Sequence, residues 1–314
     1  MNTSFMGAKS HEIMQTFYNR ELDLFAVIAI HTSASEPAIG GCRCLQYSNY
    51  DLAIQDALLL SSAMSKKAQF HQLNNGGAKM VVALPKKYNR MLIMQQIGAW
   101  VDQLQGSYIA ASDSGSDSND MNAIYTKTQY VACPDKWSDY NPSLYTALGV
   151  YSVISKILGN LAGKKIFIQG VGEVGMHLSS MLVENKACVT VTDTSAAKMA
   201  KAKQLFGVKT VAPDAIGQEC DVFVPCALGG ILNPITLPKL RTKLVIGAAN
   251  NQFLDPVADS KLAQSLGISV VPDYIANGGG LIHVSGLNNN YSKQQIIQAV
   301  NAIGQHALAQ MEHA

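Results

Sequence analysis

The chain has 314 residues with 24 basic and 22 acidic side chains, a net charge of +2, 48% hydrophobic residues and 15% charged ones. That length favours two domains, and the composition supplies apolar surface for two cores. Basic residues run no longer than pairs such as Lys66-Lys67, which gives no footprint for nucleic acid, and no stretch approaches the roughly 18 apolar residues of a membrane helix.

Met1 to Met14 lacks a basic segment followed by an apolar run. The cysteines at 42, 44, 133, 188, 220 and 226 form no CxxC and no zinc-like spacing, so a reducing cytoplasm and no metal are expected. Cys42 and Cys44 fall on one side of a strand, where two thiols attract a metal or act as small buried hydrophobes; the second is expected.

Phe25 to Ile30 reads as a buried strand and Ala38 to Leu45 as another, with Gly40-Gly41 inside it. The apolar residues from Leu52 to Met64 recur at helical spacing. This helix leads into Ser65 to Lys79, a turn rich in Asn and Gly flanked by Lys67 and Lys79, and then into the strand-like Met80 to Leu84. A lysine between Gly76-Gly77 and an apolar strand is placed to lose solvent, which favours its neutral, basic form. The glycine pair would let a small ligand lie against the backbone.

A helix is expected over Met91 to Leu104 and a strand over Tyr108 to Ala111, running into Ser112 to Asp117. Asp113, beside Gly115 at the strand end, could cap the next helix. Ser116 and Asp117 can do that instead, which leaves Asp113 for chemistry. Cys133 to Pro142 has linker composition.

A helix over Tyr145 to Leu161 and a strand over Lys164 to Gln169 precede Gly170-Val171-Gly172-Glu173-Val174-Gly175. A G-x-G-x-x-G between a strand and a helix is the dinucleotide fingerprint, with pyrophosphate at the helix N-terminus. The next strand, Ala187 to Thr192, ends in Asp193, placed to bind a ribose diol and repel a 2′-phosphate, so NAD is expected over NADP. Three further strand-like runs end in Cys226-Ala227-Leu228-Gly229, in Ala248-Ala249-Asn250-Asn251 and in Asn277-Gly278-Gly279-Gly280. Loops beyond the carboxyl ends of parallel strands face the cofactor; their amides bind it or serve turn positions, and for Asn277 binding is expected. The tail from Lys293 to Met311 reads as a helix.

Taken together, these anchors resemble the glutamate/leucine/phenylalanine/valine dehydrogenase family, most nearly its leucine branch. They are Gly40-Gly41-x-Arg43, Met64-x-x-Lys67, Leu73-Asn74-x-Gly76-Gly77-x-Lys79, Asp113-x-Gly115, Thr146-Ala147-x-Gly149, Pro225-Cys226-Ala227-Leu228-Gly229, Gly247 to Gln252 and Pro272-Asp273-Tyr274-x-x-Asn277.

The resemblance implies an α/β fold of two domains. Residues 1–140 form a substrate-binding and oligomerisation domain, 141–285 a Rossmann-type NAD domain with the active-site cleft between the two, and 286–314 a C-terminal helix returning towards the first. It implies an NAD-dependent L-amino acid dehydrogenase and homo-oligomer, with Lys67 on the substrate carboxylate, Lys79 activating water and Asp113 moving protons to and from the amine. It places Ile39, Gly40, Gly41, Gly76, Gly77, Ala111, Asn277, Leu281 and Val284 around the substrate. Around the cofactor it places Thr146, Gly170, Gly172, Glu173, Val174, Gly175, Asp193, Cys226, Ala227, Leu228, Ala248, Asn250, Asn251 and Asn277.

Ile39 stands where glutamate-specific members carry a lysine, and it cannot pair with a side-chain carboxylate, so an apolar branched-chain substrate is expected. An aromatic or specialised amino acid is the alternative substrate. A noncatalytic NAD-binding relative is the alternative class, against which the retained Lys67, Lys79 and Asp113 argue. Cys42, Cys44, Asn75, Ser112 and Ser114 depart from the leucine branch, and the chain stops short of its C-terminal helices.

Overall fold

The computed structural model describes residues 10–312. Most of the Met1–Met14 stretch read for a leader lies outside them. The chain divides into two compact units, Met1–Tyr140 with Leu287–Asn289, and Asn141–Gly286 with Asn290–Ala314.

The first unit runs β1 (Ile13–Asn19), β2 (Leu24–Thr32), β3 (Glu36–Leu45), α1 (Tyr50–Phe70), β4 (Asn75–Ala83), α2 (Arg90–Asp102), β5 (Tyr108–Ser112) and α3 (Ser118–Tyr125). Its sheet has the order β1-β2-β4-β3-β5, antiparallel from β1 to β4 and parallel from β4 to β5. Alternation along the strands builds two apolar layers. Val27, Ala29, Val81 and Ala83 pack on Ala53, Ile54, Ala57 and Leu58 of α1. On the opposite face Ala26, Ile28, Met80 and Val82 pack with Ile93 and Ile97 of α2 and Ile124 of α3.

The lysine stretch differs from its sequence reading. Helix α1 continues through Lys66 and Lys67 to Phe70, and β4 begins at Asn75 and carries Lys79, so Gly76 and Gly77 are strand residues and not part of a loop. A Cβ on Gly77 would stand 2.1 Å from the Ser65 nitrogen, so the glycine lets the strand run directly beneath the last turns of α1. Asn49 starts that helix by accepting from the Leu52 amide at 3.0 Å. Strand β1 carries no strong signal because it pairs only with β2 and keeps several side chains exposed.

The second unit comprises α4 (Pro142–Leu158), β6 (Lys165–Gln169), α5 (Glu173–Glu184), β7 (Cys188–Thr192), α6 (Ala196–Phe206), β8 (Lys209–Thr210), β9 (Val222–Pro225), β10 (Leu244–Val245), α7 (Ala258–Ser265), β11 (Ser269–Val270), α8 (Asp273–Ala276), α9 (Gly279–Asn288) and α10 (Lys293–Glu312). All six strands are parallel, in the order β11-β10-β9-β6-β7-β8. In chain sequence this is the 3-2-1-4-5-6 order of a Rossmann sheet, with its switch point between β6 and β9.

One expectation is corrected here. The glycines after Asn277 open helix α9, and a Cβ on Gly279 would lie 1.9 Å from the Tyr145 carbonyl, so small residues let α9 cross α4 at backbone contact. The C-terminal helix α10 packs on α4 within the second unit. Ile296, Val300, Ile303 and Ala307 make a buried stripe along α10. Ser152 of α4 donates to the Asn301 carbonyl at 2.6 Å and accepts from the Gly304 amide at 2.9 Å, which fixes α10 within the second unit. Among the described residues no helix is long and apolar enough to cross a membrane.

Candidate active site

Strand register assembles the first half of the site. Cys42 pairs with Met80 and Gly41 with Ala111, so alternation sends Gly41, Lys79 and Ala111 to the face opposite Met80, the face that α1 covers. Asp113 follows β5 in the same phase. Its carboxylate lies over Gly41, where a Cβ would stand 2.7 Å from the Asp113 Cβ and 2.9 Å from Oδ2. Gly41 therefore provides the room that the acid occupies.

Lys79 Nζ and Asp113 Oδ2 form an ion pair, with side chains only 5% and 11% exposed. The Ser114 amide donates to Asp113 Oδ1 at 2.7 Å, and Arg43 Nε lies 3.9 Å from Oδ2. Burial pushes the Asp113 carboxyl up, but the charges of Lys79 and Arg43 and the Ser114 amide outweigh it and hold the group below the usual carboxylate range. Asp113 is free for this because Asp117 caps α3, accepting from the Asn119 and Asp120 amides at 2.8 and 3.0 Å. An ionised acid against a lysine, both shielded from water, is equipped to pass a proton between them.

Lys67 is buried in the last turn of α1, its backbone carbonyl accepting the C-cap amide of His71. Ile39, 2% exposed, and Ala111 lie on the lysine face and are apolar. A Cβ on Gly40 would strike the Ala78 carbonyl at 2.0 Å and one on Gly76 the Thr32 carbonyl at 2.0 Å, so these glycines serve close backbone packing first. Asn75, buried, donates to the Pro37 carbonyl at 3.0 Å, and Ser112 shares a hydrogen bond of 3.2 Å with Tyr140. Cys42 and Cys44, 3.8 Å apart at sulfur, sit in the apolar layer on the far face, and no metal-holding cluster exists among the described residues.

The second unit fits a dinucleotide. Gly170 adopts φ +101°, and a Cβ there would meet Ala227 at 2.8 Å, so the turn after β6 and the loop after β9 touch at the switch point. Gly172 is the N-cap of α5 with no side-chain capping bond and open space where its Cβ would be, so the helix presents unmet amides to an anion. Gly175 brings α5 onto the strand, its Cβ position 2.1 Å from the Gly170 carbonyl. Asp193, at the end of β7, accepts from the Val171 amide and the Ser195 amide, both at 2.8 Å, which aims the carboxylate across the glycine turn.

Gln169 Oε1 and Thr192 Oγ1, neighbours across β6 and β7, are buried without a partner among the described residues. Glu173 and Val174 lie in the first turn of α5, with Glu173 accepting from Ser143 at 2.8 Å. Thr146 donates to the Pro142 carbonyl at 2.9 Å. Cys226 donates its amide to Gln169, Leu228 is exposed, and Ala248 donates its amide to Pro225 at 2.8 Å.

Asn277 donates to the Ala248 carbonyl at 3.1 Å and to Asn250 Oδ1 at 2.9 Å, leaving its own Oδ1 buried and open to a donor. Asn251, at φ +51°, serves the turn, its amide donating to Asp273. Leu281 and Val284 are buried one turn apart on α9.

The structure thus gathers the lysines, Asp113, Ile39, Ala111 and the glycine pairs in one unit, and the dinucleotide residues with Leu281 and Val284 in the other. Sequence reasoning passed over two residues as site members. Arg43 was legible as a motif residue but not as a neighbour of Asp113, since that contact spans strands. Gln252 is 3% exposed with neither amide atom hydrogen-bonded among the described residues; its place beside Asn250-Asn251 was the available signal.

Known proteins show the same organisation. Residues 18–130 match the family model for the Glu/Leu/Phe/Val dehydrogenase dimerisation domain, and residues 194–313 the model for glutamate/leucine/phenylalanine/valine dehydrogenase. A leucine dehydrogenase of Geobacillus stearothermophilus is 37% identical over 95% of this chain and 84% of its own. An L-tryptophan dehydrogenase of Nostoc punctiforme is 34% identical over 97% of this chain and 88% of its own. The crystal structure of L-tryptophan dehydrogenase from Nostoc punctiforme superposes with a TM-score of 0.79 at 33% identity, covering 98% of this chain and 92% of that one. With a buried lysine–aspartate pair in one unit and a Rossmann glycine turn in the other, the chain belongs to the Glu/Leu/Phe/Val dehydrogenase family.

Proposed function

We propose that the protein catalyses reversible, NAD-dependent oxidative deamination of an apolar, branched-chain L-amino acid, with water, to the 2-oxo acid, ammonia and NADH. The observation that carries this reading is the buried pair of Lys79 and Asp113, held over Gly41. NAD, when bound, accepts the hydride from the substrate Cα.

Lys67 fixes the substrate carboxylate. Asp113 takes a proton from the substrate ammonium, and Lys79 removes the proton of the water that adds to the substrate imine. Ile39 and Ala111 offer the side chain an apolar wall with no partner for a carboxylate, and the resemblance adds Leu281 and Val284. A pocket of this kind distinguishes neighbouring aliphatic acids by only about 1–3 kcal/mol per methylene, so leucine, isoleucine and valine compete. Asn277, with its open Oδ1, receives an amide or ammonium donor. Asp193 favours NAD over NADP because its charge repels a 2′-phosphate. A cytoplasmic homo-oligomer completes the reading, supported by the dimerisation-domain match over residues 18–130.

The test is NADH formation by absorbance with purified protein, NAD or NADP, and a panel of L-amino acids. Turnover with leucine, isoleucine or valine, lost in Lys79→Ala while NAD still binds, is expected. Turnover confined to tryptophan or phenylalanine would move the substrate to the aromatic class and leave the chemistry standing. Silence across the panel with NAD bound would overturn the enzyme reading.

A further inference from the structure

Arg43 stands two residues beyond Gly41 on β3, in the same phase, with its side chain only 16% exposed. Its Nη1 donates to both oxygens of Asp56 on α1, at 3.2 and 3.1 Å, and the Tyr47 hydroxyl donates to Asp56 Oδ2 at 2.6 Å. This anchorage fixes one end of the guanidinium. Its buried Nε makes no hydrogen bond among the described residues and lies 3.9 Å from Asp113 Oδ2, the oxygen that Lys79 also meets.

We propose that Arg43, braced by Asp56 and Tyr47, is a positioning residue for Asp113, supplying the fixed positive charge that holds its carboxylate in place and keeps it ionised until it takes the proton of the substrate. The inference rests on the dehydrogenase reading above. A lysine that trades protons during the reaction neutralises its partner only part of the time, whereas a guanidinium stays charged throughout. Without Arg43, Asp113 would be left buried without a counter-charge whenever Lys79 is neutral, and it would take up a proton instead of accepting one from the substrate.

The titratable and charged groups facing the carboxylate are Lys79 on β4, Arg43 on β3 and, through Arg43, Asp56 and Tyr47, while Cys42 on β3 and Tyr108 on β5 lie in the apolar layer on the far face of the sheet. The Cys42 thiol, raised by its contact with Cys44 and by burial, and the Tyr108 hydroxyl, raised by burial, stay neutral. Arg43 is thus the permanent charge that faces Asp113 among these groups.

The experiment compares kcat, KM and the pH dependence of kcat for wild type, Arg43→Gln, Arg43→Lys and Tyr47→Phe, with circular dichroism to verify folding. Arg43→Gln is expected to lower kcat about 100-fold, as a misplaced reacting group does. The amino acid KM should change by less than about threefold, since ground-state binding is untouched. The acid limb of the kcat profile should move up by about 1–2 pH units, the size expected for losing a neighbouring guanidinium. Arg43→Lys should restore the limb and part of kcat.

A folded Arg43→Gln with kcat within about threefold of wild type and an unmoved limb overturns the proposal. If Arg43→Gln does not fold, Tyr47→Phe decides: a smaller loss of kcat with an upward limb supports the brace, and an unchanged profile refutes it. Titration of Asp113 by NMR on protein carrying 13C-labelled aspartate, assigned with Asp113→Asn, reads the same effect without turnover. An inactive wild type would therefore defeat the dehydrogenase reading, whereas an Asp113 titration unmoved in Arg43→Gln or Tyr47→Phe would defeat only this one.

Discussion

Gly41→Ala adds one methyl group beneath the Asp113 carboxylate, and its consequence follows from the distances. The new Cβ would stand 2.7 Å from the Asp113 Cβ and 2.9 Å from Oδ2, whereas ordinary contacts begin at 3.4 Å. Asp113 cannot retreat freely. Its Oδ1 is held by the Ser114 amide at 2.7 Å, and its own amide donates at 3.0 Å to Ser116 Oγ, which in turn donates to the Cys42 carbonyl at 2.7 Å. The strain is that of an overpacked core, about 1–3 kcal/mol, which should lower the melting temperature by a few degrees. The effect on rate is larger, because displacing a reacting group by close to 1 Å costs about 100-fold. That corresponds to about 2.7 kcal/mol of transition-state stabilisation. Steady-state NADH formation gives kcat, and calorimetric titration gives NAD affinity, which should be unchanged because the glycine turn belongs to the other unit. A folded variant that keeps kcat within about threefold of wild type would refute the claim that Gly41 exists to seat Asp113.

Gly170→Ala forces a Cβ onto a backbone at φ +101° and into Ala227, so NAD affinity should fall at least about tenfold by calorimetric titration, with a destabilisation of about 1–3 kcal/mol in urea melts. Asp193→Ala removes the acceptor of two backbone amides and the charge facing a 2′-phosphate; KM for NAD should rise, and the ratio of kcat/KM for NAD over NADP should narrow in side-by-side assays. Ser152→Ala deletes both bonds that tie α10 to α4 and should cost about 1–3 kcal/mol by chemical denaturation, with little change in substrate KM. Asp113→Asn should be least stable relative to wild type near neutral pH. The depressed carboxyl of Asp113 contributes stability above its unfolded value of about 3.9 and loses it as pH falls through the folded one, so the two stability curves should converge below about pH 4. Parallel curves would show that Asp113 is not held ionised by its neighbours.

What the sequence made legible was local. The strand before Gly170, the glycine spacing and the acid at 193 lie in one contiguous unit, and each follows from backbone geometry that only certain residues permit. Asp113 could be assigned to chemistry because Asp117 offered a better helix cap nearby, a choice visible within five residues. The Gly76-Gly77 pair misled because glycine signals both a turn and a close approach, and only the tertiary neighbour, Ser65 on α1, decides between them. Strand β1 and the docking of α10 escaped for a similar reason, since each is defined by one long-range partner. Arg43 shows the same limit at the site itself, its meaning residing in two contacts made by other strands and helices.

The alternation of β4 has a consequence for how the protein can change. Met80 and Val82 face one apolar layer while Lys79 and Val81 face the other, so Lys79 and the core are written in one reading frame of the strand. Lengthening β4 by one residue before Lys79 would not leave a misplaced lysine on an intact sheet. It would thrust the ammonium into the layer packed by α2 and α3 and turn Met80 onto the face that α1 covers, so folding and the pairing with Asp113 would be lost together. Variation can therefore reach this enzyme through its loops and through substitutions that keep the phase, but insertions and deletions within β4 are closed to it.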